Sequence, residues 1–206
     1  MTVSDILVDT ASLVIFSDSS NVSYRMQVHN NKDNPDYIFN AIVEGTLTEK
    51  GTTIKSRLYD WKDRLGLATD MSAAMEDNGV KVTFIGDGPV LGYKKFAVNK
   101  DNYQFLSEDK RVSANLKLRA SDGTGLQVYT NDENADALQD ITLSVNKLDL
   151  DDIFAILPFT PNMTGILDGD FHAIQTPDEL TVSSSLTVSN MIYEGCKMGD
   201  VGTEFT

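Results

Sequence analysis

The side chains of this chain that could do chemistry are few and scattered. It has two histidines, His29 and His172, and one cysteine, Cys196. A Cys-His dyad would have to pair Cys196 with one of those two, and no nucleophile signature surrounds the cysteine. Each histidine lies in or beside an alternating segment, where a surface or hydrogen-bonded role is the ordinary one. A lone cysteine excludes an internal disulfide and any multi-thiolate zinc site. Paired carboxylates could hydrolyse a glycoside, but among 31 Asp and Glu residues chance pairs are numerous and single out no candidates.

Three acidic clusters suggest calcium. Asp132, Asn134 and Asp136 stand at positions 1, 3 and 5 of an EF-hand-like loop. That loop then has Ala137 where glycine is needed and Leu143 where the chelating Glu belongs, so it fails. The segment from Asn31 to Asp36 carries Pro35 and no terminal Glu. Asp149, Asp151 and Asp152 suit a helix start, where carboxylates cap free amides and favour the dipole. The stretch Gly86-Asp87-Gly88-Pro89-Val90-Leu91-Gly92 imitates a phosphate loop, yet its spacing is one residue too long and a strand, not a helix, follows. Tyr59, Trp61 and Tyr93 could offer a sugar-stacking platform or serve as packing. The reading is no catalytic residues, no metal and no cofactor.

Composition agrees with a folded, acidic chain. Hydrophobic residues make up 41% and charged residues 23%, and the net charge is −14. That charge disfavours nucleic acid, whose binding needs a basic surface that releases counterions. It equally disfavours docking on anionic head groups through a polybasic patch. The longest apolar runs, Leu13–Phe16 and Phe154–Phe159, fall far short of the roughly 20 residues of a spanning helix.

The elements that must position these residues are strands. Apolar residues alternate with polar ones at Val22–Val28, Val80–Phe84, Val112–Ala120, Ile141–Val145 and Leu180–Val188. One apolar and one small, polar face is the pattern of an antiparallel sheet with a wet side. Turn signals fall at Asn30–Asp36, Asp77–Gly79, Asp87–Pro89, Asp122–Gly123 and Asp168–Gly169. The one good helical signal is Asp151–Leu157, with Asp149 or Asp151 as cap and Pro158 beyond its end; Asn134–Leu138 is a weaker helical turn. The expected fold is all-β: an elongated, mainly antiparallel curled sheet (a β-taco or open sandwich) with one short helix. Residues 1–150 form a β-sheet segment, and 151–206 add the short helix and a further β-repeat, continuous with the first and truncated at the C-terminus.

The C-terminal third carries a more specific order. Leu138–Asp149 is a strand ending in a leucine-acid-leucine step into the helix. Gly165-Ile166-Leu167-Asp168-Gly169 brackets a strand with glycines, Pro177 precedes the alternating Leu180–Val188, and Tyr193 leads to Met198-Gly199. This order resembles the periplasmic repeats of the TamB/AsmA-like family, translocation and assembly module subunits of Gram-negative envelopes. Met198 stands where Leu is commoner, Cys196 is a further departure, and residues 1–137 are compatible in style without a diagnostic motif.

The resemblance implies a curled sheet whose apolar side shelters phospholipid acyl chains or assists outer-membrane protein assembly. It implies the periplasmic part of an inner-membrane-anchored protein, with lipid and an outer-membrane assembly barrel protein as partners. The groove residues expected from the alternation are Leu180, Val182, Leu186 and Val188, with Ile141, Leu143 and Val145 on a neighbouring strand. The same alternation also builds a filled sandwich, and a sugar-binding or adhesive module of a surface protein is the alternative reading.

Overall fold

The computed structural model describes residues 2–3, 6–18, 20–34, 37–131, 137–156 and 161–206. In chain order the strands are β1 (Thr2–Val3), β2 (Ile6–Leu7), β3 (Thr10–Ser17), β4 (Val22–His29), β5 (Asn40–Thr48), β6 (Gly51–Tyr59), β7 (Leu65–Glu76) and β8 (Gly79–Phe84). They continue with β9 (Val90–Leu91), β10 (Lys94–Val98), β11 (Tyr103–Ser107), β12 (Val112–Ala120), β13 (Gly125–Thr130) and β14 (Gln139–Asp149). Helix α1 (Leu150–Phe154) follows, then β15 (Met163–Gln175), β16 (Leu180–Tyr193) and β17 (Cys196–Phe205).

Apart from the small β1–β2 pair, every strand belongs to one antiparallel sheet of 15 strands, running from β3 at one edge to β17 at the other. It is almost a simple meander, as short turns between alternating segments dictate. The exception lies between the long strands β7 and β12. There β8 and β11 bridge one half of the gap and β9 and β10 the other. Two asparagines replace ladder bonds at this split. Asn102 accepts from the Phe84 amide at 2.7 Å and donates to the Phe84 and Asn99 carbonyls, while Asn99 accepts from the Lys117 amide at 2.8 Å and donates to Asn115 O. The sheet crosses the segment boundary at residue 150 through β14–β15 pairing.

The expected helix forms over Leu150–Phe154. Asp149 is its cap, accepting from the Asp151 amide at 3.0 Å. The far end, Leu157 and Pro158, lies outside the described residues, as do the EF-hand-like Asp132–Asp136 and most of the weaker helical turn. Asp168–Gly169 is not a turn, contrary to its dipeptide: both residues lie inside β15. Gly169 adopts φ +141° and a Cβ there would collide with the Ser185 carbonyl, so the glycine serves close approach of β16, not chain reversal.

The sheet is a single layer. Apart from the β1–β2 pair, the described residues form no second sheet to pack over it. The chain exposes 12821 Å², whereas a compact protein of 22.6 kDa exposes about 9,500 Å². A filled sandwich would not leave that excess.

The sheet is also curled. Along a flat sheet β14 and β7 would lie about 24 Å apart, five strand spacings. Yet α1 leaves β14 and within seven residues brings Ile156 against Gly66 of β7, where a Cβ would strike the Ile156 Cγ2. Tyr37 Oη reaches the Ile156 carbonyl at 3.5 Å. Lys94 Nζ, on β10, holds Asp122 and Asp152 at 3.0 Å each. Strand ends spaced this widely in sequence converge on one short helix only if the sheet bends. The densest packing lies close by, where Phe96 (1% exposed), Leu118 and Ala120 meet Leu91, Val98, Leu116 and Leu126.

Candidate functional site

The register of the ladder turns local alternation into a continuous surface. Directly opposed residues share a face, so the face can be followed from strand to strand. Leu13 opposes Met26, which opposes Val43; Ile54 opposes Met71, which opposes Phe84. Beyond the split, Val98 opposes Leu118, which opposes Leu126, then Val145, Gly169 and Leu186. One apolar face thus extends from edge to edge. The other face carries Arg25, Glu44 and Lys55 in its first half and Lys117, Gln127, Ser144, Asp170 and Ser185 in its second.

Burial shows which way the centre bends. On β10 and β12, Phe96, Ala114, Leu118 and Ala120 are buried, while the intervening Lys95, Ala97, Lys117 and Arg119 are exposed. Alanine is the useful control, because its size is fixed. Ala114 and Ala120, on the apolar face, are 2% and 7% exposed, and Ala97, on the polar face, is open. With no second sheet over it, side chains crowd this way on the inside of a curve. The apolar face is the concave one at the centre, and it opens outward: Leu143 is 39% exposed and Leu13 is 63%.

All seven expected groove residues lie on this face. Ile141 and Val182 flank Ala173, and Val145 and Leu186 flank Gly169. The expectation that the two sets occupy neighbouring strands is corrected, because β15 runs between β14 and β16 and adds Leu167, Phe171 and Ala173 to the row. Leu180 stands at the rim, 64% exposed, opposite Gln175. Ser184 interrupts the apolar row: it is buried between Phe171 and Phe205 in the ladder, and its Oγ makes no hydrogen bond. The sequence reading missed the contributions of β3, β5, β13 and β15. Gly45 and Gly169 break the alternation in β5 and β15, β13 is only six residues long, and the run Leu13–Phe16 in β3 has no period.

The other candidates separate or serve the scaffold. His172 Nε2 lies 2.7 Å from Asp140 Oδ1, about 30 Å along β16 from Cys196, given ten residues between their partners Ser183 and Tyr193. His29 belongs to β4, near the opposite edge. Gly88 and the buried Pro89 pack against Phe96, so the phosphate-loop imitation is a packed turn into the β9–β10 hairpin. Among the described residues no three His, Cys, Asp or Glu side chains gather as a metal site.

Of the aromatics weighed as a sugar platform, Trp61 is 60% exposed and Tyr93 is tied into a polar cluster. Lys62 Nζ stands 4.4 Å over the Trp61 ring, and Tyr93 donates to Asp60 at 3.0 Å. Asp60, buried in the β6–β7 turn, also accepts from the Lys62 and Arg64 amides and from the Arg64 side chain. Burial works against its charge, but these donors win and hold its carboxyl below the usual range. Burial, then the bond to Asp60, pushes Tyr93 up to about 12. This cluster fixes the hairpin beside α1.

On the polar face, shallow clefts lie between side chains, the one beside Arg25, Glu44 and Lys55 enclosing 380 Å³ open to solvent. The fold and face define a class: a single-layer antiparallel sheet with one unroofed apolar side. No family model, no curated protein and no solved structure matches the chain.

Proposed function

We propose that this chain is a lipid-carrying segment of a cell-envelope protein, in which the curled apolar face shelters phospholipid acyl chains. The observation that carries the reading is the edge-to-edge register of apolar residues on a face that, among the described residues, no second sheet covers. Such a surface in water is costly, and a large exposed apolar patch marks a binding surface. Each acyl methylene moved from water onto it contributes about 0.8 kcal/mol. Passage of lipid along such a face needs no catalytic group. A net charge of −14 keeps the outside of the trough from adhering to anionic bilayers. The resemblance of the C-terminal third to TamB/AsmA-like repeats supports the same reading and suggests the periplasm as the compartment.

The test is uptake of a fluorescent fatty acid, and of a fluorescent phospholipid, by the delipidated chain. Val182→Asp combined with Val188→Asp places two charges on the apolar face and abolishes uptake. Ser185→Asp with Thr187→Asp adds the same charges to the opposite face and leaves uptake intact. Equal behaviour of the two double variants, or no saturable uptake by the unaltered chain, overturns the reading.

A further inference from the structure

The free edge formed by β3 is unlike any other strand in the sheet. Its eight residues, Thr10 to Ser17, include no charge and no proline, and all eight are exposed. Leu13, Val14, Ile15 and Phe16 are four consecutive large apolar residues, each more than half exposed. Soluble sheets protect such edges with charge, proline or bulges, because unpaired N–H and C=O groups recruit another strand. β3 pairs with β4 in unbroken register, so no bulge protects it either.

The outward backbone groups can be assigned. Asp18 N donates to Asn21 O at 3.1 Å, which makes 18–21 a hydrogen-bonded pair. Alternation in an antiparallel ladder then gives bonded pairs at Phe16–Ser23, Val14–Arg25 and Ser12–Gln27. The N–H and C=O groups of Ala11, Leu13, Ile15 and Ser17 therefore face away from the sheet.

We propose that β3 is a dimerisation edge whose occupant is β3 of a second copy, antiparallel about a two-fold axis through Val14. In this register Ala11 opposes the second copy's Ser17 and Leu13 its Ile15, giving four hydrogen-bonded pairs and about eight N–H···O bonds. The two Val14 side chains meet at the axis as a non-bonded pair. Leu13 and Ile15 continue the apolar face across the junction, because a two-fold axis normal to the sheet keeps like faces on one side. Charge supports this pairing. Two copies of −14 repel, and β3 is the stretch where their strands can meet without opposed charges. Thr10 then faces Asp18, so the flanking carboxylates are not directly opposite.

The test is sedimentation equilibrium of the full chain, with cysteine cross-linking to read the register. The unaltered chain sediments at twice 22.6 kDa at high protein concentration, and its association tightens as salt screens the repulsion. Val14→Lys sets two ammonium groups face to face at the axis and weakens the dimer at least about tenfold, equivalent to about 1.4 kcal/mol, while its circular dichroism is unchanged. With Cys196→Ser to remove the native thiol, Val14→Cys forms a disulfide-linked dimer under mild oxidation and Ser12→Cys, which faces Phe16 of the second copy, does not. A chain that stays monomeric at high salt, equal cross-linking from both cysteine positions, or species heavier than a dimer built by β3-to-β17 pairing overturns the proposal.

Discussion

The two outer strands of this sheet are built differently. β17 is exposed along its whole length like β3, but it carries Lys197, Asp200 and Glu204 and reaches β16 through register shifts around Met191. Charges and bulges make that edge a poor template for a new strand. β3 has neither. Between them, the centre around Phe96 and α1 supplies the buried core, while both flanks present apolar side chains to solvent. Buried packing is thus concentrated at the centre, and the proposed binding surface lies where the sheet opens.

The sharpest way to break that division is at its centre. Phe96→Ala removes the most buried aromatic ring, and the expected loss is about 3–5 kcal/mol in a denaturant melt. A loss below 1 kcal/mol would mean that stability is spread evenly. Asp60→Asn removes the charged acceptor that organises the β6–β7 turn. It should cost about 1–3 kcal/mol, because Arg64 and Tyr93 both lose their charged partner, and amide exchange should quicken at Lys62 and Arg64 before the flanks respond.

Acid gives a smaller effect localised to the α1 end. The Thr124 amide, then Lys94, holds the Asp122 carboxyl down at about 2. A carboxylate whose folded value is depressed contributes stability above its unfolded value, about 3.9, and loses it as pH falls through the folded one. The melting temperature should therefore decline between about pH 4 and pH 2, and Lys94→Met should flatten that decline. The Thr124 amide remains, so part of the slope should survive; an unchanged slope would mean that Lys94 contributes nothing to it. Smallest of all, Leu143→Ala on the open flank should cost under about 1 kcal/mol, since 39% of Leu143 is already exposed, yet measurably weaken fatty-acid uptake. A large loss of stability there would place Leu143 in a packed interior and argue against an open face.

Much of this was written in local pattern. Val22–Val28, Val112–Ala120 and Leu180–Val188 show their strands through period-two alternation, because a pleat sends successive side chains to opposite faces. The helix after Asp149 was legible because its cap and acidic first turn are local signals. The failures were equally physical. Asp168–Gly169 looks like a turn by composition, but its glycine answers to the Ser185 carbonyl of β16, sixteen residues further along the chain and invisible to a dipeptide. β3 passed only as an apolar run, since four consecutive apolar residues have no period. The split at β8–β11, filled by Asn99 and Asn102, left no local mark at all.

Spacing and composition alone dictate antiparallel strands with one apolar and one polar side, a single short helix and a net charge of −14. Those properties depend on spacing within a few residues and on summed charge. The tertiary structure alone decided that every apolar side falls on the same face, that no second sheet covers it, and that the layer bends until α1 joins β14 to β7. Register and curvature are relations between residues far apart in the chain, fixed by which backbone groups pair and which side chains crowd, and no local pattern encodes them.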